Sequence, residues 1–222
     1  MAADTAQLKK VLESGGRTLG VSLSPQVVGQ FMVYLHELKA WNARMNLTAI
    51  EADEDVITRH FLDSLAPCRF LDKVTRLLDA GAGAGFPGIP LKIVLPNLRV
   101  TLVDSVSKKV LFMRHIIRTV ELGPDIEAIA ARLEDKALVK KYAGLFDCVI
   151  SRAFTNLPDF LEMSRPYLAP GGVIIAMKGP KAQEELAGFQ PGQHDLVFEG
   201  LHEVEIPFSD RRTSLLVFRR PL

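Results

Sequence analysis

Two aspartates and a run of glycines are the residues of this chain best placed to hold a small molecule. In LLDAGAGAGFPGIPLKIVLP, residues 77–96, a strand-like stretch stops at Asp79 and the chain turns through Gly81, Gly83, Gly85 and Gly88. Gly81 and Gly83 lack a Cβ, so the backbone can turn tightly and a ligand can touch it. Asp104 ends the next strand-like stretch, 23 residues after Gly81, and a carboxylate there can accept both hydroxyls of a ribose. Gly83, Gly85 and Gly88 also satisfy the G-x-G-x-x-G dinucleotide pattern, so a nicotinamide-dependent oxidoreductase is one reading. Pro87 and Pro90 oppose it by crowding the helix start whose free N–H groups would take a pyrophosphate. Asp79 opposes a phosphate too, and suits a cation. S-adenosyl-L-methionine offers an ammonium and a sulfonium beside its adenosine and carries no phosphate, so the acid–glycine–acid set favours a methyl donor.

Such a turn needs a strand before it and a sheet around it. VTRLLDA, RVTLVDS, IEAIAAR, FDCVISRAF and GGVIIAMKG read as strands with helical pieces between them, among them SKKVLFMRHIIRTVEL. LHEVEIPF, the polar turn SDRR and TSLLVFRR then predict an antiparallel hairpin. The result is an α/β fold, a mostly parallel sheet with that hairpin at its edge. Residues 1–72 read instead as a small helical subdomain ahead of a sheet domain over 73–222. A short helix near 4–14 is expected to end at Gly15-Gly16. The next opens with Ser24 as N-cap and Pro25 at its first position, then carries Val27, Phe31, Leu35, Leu38 and Trp41 as one apolar stripe. A third has acids leading, Ile57, Phe61 and Leu65 at helical spacing, and Pro67 closing.

Composition sets the remaining bounds. Of 222 residues, 48% are hydrophobic and 24% charged, the balance of a globular protein. No apolar run reaches the roughly 18–20 residues of a membrane span, the first residues lack the organisation of a signal peptide, and Cys68 and Cys148 are isolated. The expected compartment is the cytoplasm. Net charge is +1, divided as −2 over residues 1–72 and +3 over 73–222, so a polyanion would need a local basic patch.

The set WNARMNLTAI, RHFLDSL, the glycine stretch above, TLVDSVSKKVLFMRHI, VISRAF and MKG resembles the bacterial 16S (small-subunit) ribosomal RNA guanine-N7 methyltransferases, the methyltransferase G or glucose-inhibited division protein B family. The resemblance runs from about Phe31 to Arg220. It implies a Rossmann-like fold behind a helical extension, and methyl transfer from S-adenosyl-L-methionine to N7 of one guanine near the decoding region. It places cofactor contacts at Gly81, Phe86, Asp104 with the following Ser105, Leu133, Glu134 and Arg152, beside the Asp79 and Gly83 read from the turn itself. The 16S RNA, naked or in a ribosomal particle, is the implied partner.

Guanine N7 has a lone pair and no proton to remove, so the reaction needs alignment more than a base, and Arg152 is the expected alignment residue. His36, His60, His115, His194 and His202 show no metal or triad spacing, and no metal is expected. Arg132, Lys178, Arg211 and Arg212 fall at strand ends or turns and are candidates for RNA contacts as a rim around one cleft. Asn46, in NLT, is a substrate-side candidate on the resemblance; on its own it could cap the next helix. A methyltransferase for a protein, a small molecule or another RNA, and a non-catalytic RNA-binding module, are the other function classes these residues allow.

Overall fold

Ser24 and Pro25 start the longest helix. The Ser24 hydroxyl accepts the Val27 amide at 3.3 Å, and α2 (Pro25–Met45) buries Phe31, Leu35 and Leu38 together with Val28 and Tyr34. The computed structural model describes residues 5–189 and 195–222, so His194 lies outside the described residues. Ahead of α2, α1 (Thr5–Thr18) runs straight through Gly15 and Gly16, where the sequence predicts its end. The reason is space. A Cβ on Gly15 would run into Leu62, and one on Gly16 would lie 2.9 Å from Leu23. These glycines let neighbouring chain segments approach α1 closely.

The acid-led stretch forms one rod in four pieces: α3 (Asp53–Val56), a π-helical segment (Ile57–Leu62), α4 (Asp63–Leu65) and a 3-10 turn (Ala66–Phe70). Pro67 does not close it. It stands in the first turn of the 3-10 piece, where a missing N–H costs nothing.

Seven strands make one sheet: β1 (Arg76–Ala80), β2 (Arg99–Asp104), β3 (Ile126–Ala130), β4 (Phe146–Arg152), β5 (Leu168–Lys178), β6 (Val197–Glu205) and β7 (Arg212–Arg219). Their order is β3-β2-β1-β4-β5-β7-β6, with β1 to β5 parallel. The hairpin is present, but its antiparallel strand β7 is inserted between β5 and β6. β7 is apolar enough to be buried along six consecutive residues, whereas no residue of β6 is fully buried. An apolar strand belongs inside a sheet and a polar one at its edge.

Alternation along the strands divides the core in two. Leu77, Leu102, Cys148, Ile150 and Ile175 face α1, α2, the rod, α5 (Gly88–Val94) and α6 (Ser107–Thr119) in one continuous cluster. Leu78, Ala80, Val103, Val149 and Ile174 face α7 (Lys136–Tyr142), α8 (Leu157–Ser164) and α9 (Ala182–Ala187). The strand order reverses between β1 and β4, so the crevice outside their carboxyl ends is the natural ligand seat. Among the described residues no helix is long and apolar enough to cross a membrane.

The glycines of the helical layer differ in what surrounds them. A Cβ on Gly29 of α2 meets nothing within 4 Å, so Gly29→Ala should stabilise the chain by about 0.5–1 kcal/mol through helix propensity. Gly15→Val, forced against fully buried Leu62, should cost about 1–3 kcal/mol. Denaturant midpoints would check both; a stabilising Gly15→Val would mean that α1 does not pack as described.

Candidate active site

The turn after β1 is built by its own amides. Gly81 and Gly83 take φ of 68° and 62°, a region costly for a residue with a Cβ. Gly81 and Ala82 donate to the Val103 carbonyl at 2.8 and 3.0 Å, which fastens the turn to β2. Asp104, at the end of β2, accepts the Gly83 amide on one oxygen at 2.9 Å and the Val106 amide on the other at 2.8 Å. It joins two loops at the carboxyl edge and keeps lone pairs for further donors.

The start of α5 has no amide to spare. Gly88 donates to Asp79 Oδ2 at 2.7 Å, Ile89 to the Gly85 carbonyl at 2.8 Å, and Pro90 has no N–H. A pyrophosphate would find nothing there to bind, which removes the nicotinamide reading on geometry. Asp79 is fully buried beneath the turn, and its Oδ1 has no hydrogen-bond partner. Burial pushes its carboxyl up to about 7, against the Gly88 hydrogen bond and the Arg152 charge, while Asp104 adds to the rise.

Two clefts open at the carboxyl edge. The first, about 410 Å³, is lined by Gly81, Asp104, Ser105, Leu133 and Glu134 as the sequence predicts, and by Arg132 and Phe154. The Leu133 carbonyl is held by the Tyr167 hydroxyl at 2.5 Å, and Glu134 lies 3.5 Å from Arg132. The second, about 910 Å³, is lined by Arg59, Asp63, Arg152, Lys178, Arg211, Arg212 and Thr213, among others. Ala153 belongs to both walls. Its φ of 53° turns the chain after β4, and the following Phe154 ring lies over Gly81, in the space a Cβ there would need.

Several candidates take places the sequence does not indicate. Asp79, Gly83 and Phe86 line neither cleft, and Arg152, expected at the cofactor, lines only the second. Phe86 is buried, stacked on His60 at 4.4 Å and Tyr34 at 5.3 Å, with the Arg152 guanidinium 5.0 Å from its ring. The basic rim is divided, with Arg132 at the first cleft and Lys178, Arg211 and Arg212 at the second. Lys178 is tied to the Thr155 carbonyl at 2.6 Å and Glu185 at 2.7 Å, and Arg212 is paired with Glu203 and Glu205 at 3.6 and 3.0 Å. Asn46 is the left-handed C-cap of α2, φ 49°, and so closes that helix instead of opening the next.

Arg152 has partners on three sides. Its Nη1 donates to the Arg59 carbonyl at 3.0 Å and Asp63 Oδ2 at 2.9 Å; its Nη2 donates to His60 Nδ1 at 2.9 Å. Asp63 Oδ1 in turn accepts the Thr213 hydroxyl of β7. The π-helical segment makes this possible. There the Asp63 amide bonds the Thr58 and His60 carbonyls, while the Arg59 carbonyl meets the guanidinium. His60, Asp63 and Thr213 were not candidates from sequence. Their signal was a His and an Asp three apart, as neighbours on one helical face are.

Comparison with known proteins matches this architecture. Residues 28–216 fit the profile of the family described as rRNA small subunit methyltransferase G. Ribosomal RNA small subunit methyltransferase G of Acetivibrio thermocellus is 40% identical over 96% of this chain and 89% of its own length. That of Geotalea uraniireducens is 42% identical over 96% of both. The chain belongs to this family. A solved SAM-dependent methyltransferase of Aquifex aeolicus, 16% identical, covers 66% of this chain and 82% of its own with a TM-score of 0.51, and shares the fold.

The first cleft fits S-adenosyl-L-methionine, the cofactor of this methyltransferase. It offers a carboxylate with unused lone pairs at the tip of β2 and a bare glycine backbone at the tip of β1. The start of α5 has no free amide for a phosphate. Asp104→Ala should weaken cofactor binding by roughly tenfold or more, since hydrogen bonds to a charged acceptor contribute about 1.5–3 kcal/mol. It should also lower the thermal midpoint, because Gly83 and Val106 lose their acceptor; calorimetry and melting curves read the two effects. For Asp79 the sign follows from proton linkage. An unfolded carboxyl titrates near about 4 and the folded one near 7. The folded chain therefore holds a proton that the unfolded chain has released, and stability falls as pH rises across that interval. Asp79→Asn should raise the melting temperature at pH 8 and lose that advantage towards pH 5. A difference constant with pH would show that Asp79 is ionised in the folded chain.

Proposed function

We propose that this chain is a cytoplasmic enzyme that methylates N7 of one guanine in 16S ribosomal RNA, with S-adenosyl-L-methionine as methyl donor. The observation that carries this is the junction of the two clefts at Ala153. A site for an adenosine-bearing cation lies beside a larger, arginine-rich cleft suited to RNA phosphates and base edges, with Ala153 in the lining of both.

When bound, S-adenosyl-L-methionine supplies a methyl group on a positively charged sulfur. Attack by N7 makes the new N–C bond and breaks the C–S bond, whose electron pair stays on sulfur. No proton moves, and the charge passes to the guanine ring. In this reading Asp104 takes the ribose hydroxyls, Leu133 and Glu134 flank the adenine, and the missing Cβ of Gly81 lets the Phe154 ring close over the turn. Arg152 lines the second cleft, next to the shared Ala153. A guanidinium on guanine ordinarily takes O6 and N7 together. Here N7 must keep its lone pair, so Arg152 donates to O6 alone and holds the ring in line. Arg211 flanks the RNA, with Lys178 and Arg212 weakened as phosphate ligands by their own glutamates.

No described histidine lines either cleft. His60 Nδ1 is engaged by Arg152, His115 Nε2 meets Glu37 at 2.6 Å, and His202 packs on Phe70. Single-turnover methyl transfer at saturating cofactor and RNA should therefore be nearly flat from about pH 6.5 to 8.5. Asp79 titrates in that range but lies outside both clefts, so its effect belongs to stability. Arg152→Ala should lower the rate throughout, and mass spectrometry of 16S RNA from cells lacking the gene should show one 7-methylguanine missing. A steep pH–rate limb abolished by replacing one histidine would overturn the base-free mechanism, and an unchanged RNA would overturn the substrate.

A further inference from the structure

We propose that His60 is a positioning residue for methyl transfer: fixed by Thr48, it holds the Arg152 guanidinium in the orientation from which it meets the base. The inference rests on the reading of Arg152 as the group that aligns the guanine. It also accounts for the NLT and RHFLDSL segments, which the cofactor site leaves unused.

The protonation pattern follows from the partners. An arginine nitrogen only donates, so the 2.9 Å contact from Arg152 Nη2 makes His60 Nδ1 the acceptor. The ring proton is then on Nε2, which donates to Thr48 Oγ1 at 2.8 Å. Thr48 is itself held by two backbone contacts, its amide on Asn42 Oδ1 at 2.9 Å and its hydroxyl accepting the Ile50 amide at 3.1 Å. The imidazole lies flat on Phe86, 14° from parallel, so its plane is set as well. A chain of contacts thus runs from the last turn of α2 through Thr48 and His60 to the end of β4. Burial, with Arg152 and Arg59 beside it, lowers the His60 pKa to about 3, so the ring stays neutral wherever the enzyme works.

A carboxylate alone would orient the guanidinium less well. Asp63 is reached through Nη1 only, which leaves rotation about the guanidinium's own bond to be resisted elsewhere. His60 holds the second terminal nitrogen, and as a neutral acceptor it does so without cancelling the positive charge. Of the five N–H donors of the guanidinium, three are engaged by Arg59, Asp63 and His60. The other two have no protein partner among the described residues, and the side chain lines the second cleft. Those two are the donors that His60 aims.

The test uses the full chain with 16S RNA, naked and assembled in small subunits, from cells lacking the gene. Single-turnover rate, cofactor affinity and melting temperature are measured for each variant. His60→Phe keeps a ring against Phe86 but offers no acceptor. It should slow methyl transfer on the order of 10- to 100-fold, as displacements of about an ångström do, with cofactor affinity close to wild type. His60→Asn, with an amide oxygen in the place of Nδ1, should recover most of the rate, while His60→Gln, whose amide reaches the place of Nε2, should not. Thr48→Val should act in the same direction more weakly. In an Arg152→Ala background His60→Phe should add no further loss.

A normal rate for His60→Phe while Arg152→Ala is slow, an additional independent loss in the double variant, or a His60→Asn no better than His60→Phe would overturn the proposal and leave Arg152 in its role. A normal rate for Arg152→Ala would instead remove the reading on which the proposal rests. If the ring variants do not fold, nitrogen NMR of the wild-type imidazole decides: an unprotonated Nδ1 and a protonated Nε2 are expected from pH 8 down to pH 5. A protonated Nδ1 would overturn it.

Discussion

A guanidinium taken most of the way out of water has to be answered by acceptors, and in this chain the acceptors for Arg152 come from another part of the sequence. Arg59, His60 and Asp63 lie on the rod, and Asp63 carries the contact on to Thr213 of β7. The Arg152 and Asp63 side chains are 18% and 13% exposed. Removing one member of a buried pair strands the other, at a cost of about 3–5 kcal/mol. Three separated segments are therefore bound to a single geometry at the carboxyl edge of the sheet. The apolar packing agrees with this, since the helices of the first seventy residues share a continuous core with one face of the sheet.

The same requirement, that buried polar groups find partners, selects the ligand of the first cleft. Every glycine-rich turn has amides to satisfy, and a nucleotide phosphate is one way to satisfy them. Here Asp79 takes the Gly88 amide, Asp104 takes those of Gly83 and Val106, and carbonyls take those of Gly81, Ala82, Gly85, Phe86 and Ile89. The start of α5, where a phosphate would sit, is thus already satisfied, and Asp104 keeps lone pairs for a donor. A cationic nucleoside complements that arrangement and a pyrophosphate does not. Asp79 contributes from beneath the turn, as a scaffold for α5, and its burial is what raises its carboxyl to about 7.

Some expectations met a different geometry, each for a local reason. Gly15 and Gly16 read as a helix stop because glycine is a poor helix former, but close approach to Leu62 and Leu23 outweighs propensity. Pro67 reads as a terminator, yet in the first turn of a 3-10 segment it loses no hydrogen bond. Arg132 and Arg211 are equivalent as basic residues at strand ends or turns, and only the strand order sends them to different clefts. Asn46 drew notice in NLT, while the side chain of that segment joined to the Arg152 system is Thr48. Phe86 sits in the glycine segment but turns its ring into the helical layer, where Tyr34 and His60 receive it.

By itself the sequence determined what depends on local chemistry and period. The alternation of strands and helices, the capped start of α2, the left-handed glycines after β1 and the aspartate at the tip of β2 follow from residues close together in the chain. So do the case that Pro87 and Pro90 make against a phosphate and the resemblance that named the family, whereas Asp79, read as an anion beside the ligand, lies outside both clefts. Only the tertiary structure decided what depends on pairs far apart: the insertion of β7 between β5 and β6, the division of the basic residues between two clefts, and the partners of Arg152. The π-helical turn that presents Arg59, His60 and Asp63 to it leaves no mark in hydrophobic spacing, because the group it meets is a charge 89 to 93 residues away. Periodicity records which face of an element is buried; it does not record which distant polar group must be satisfied there.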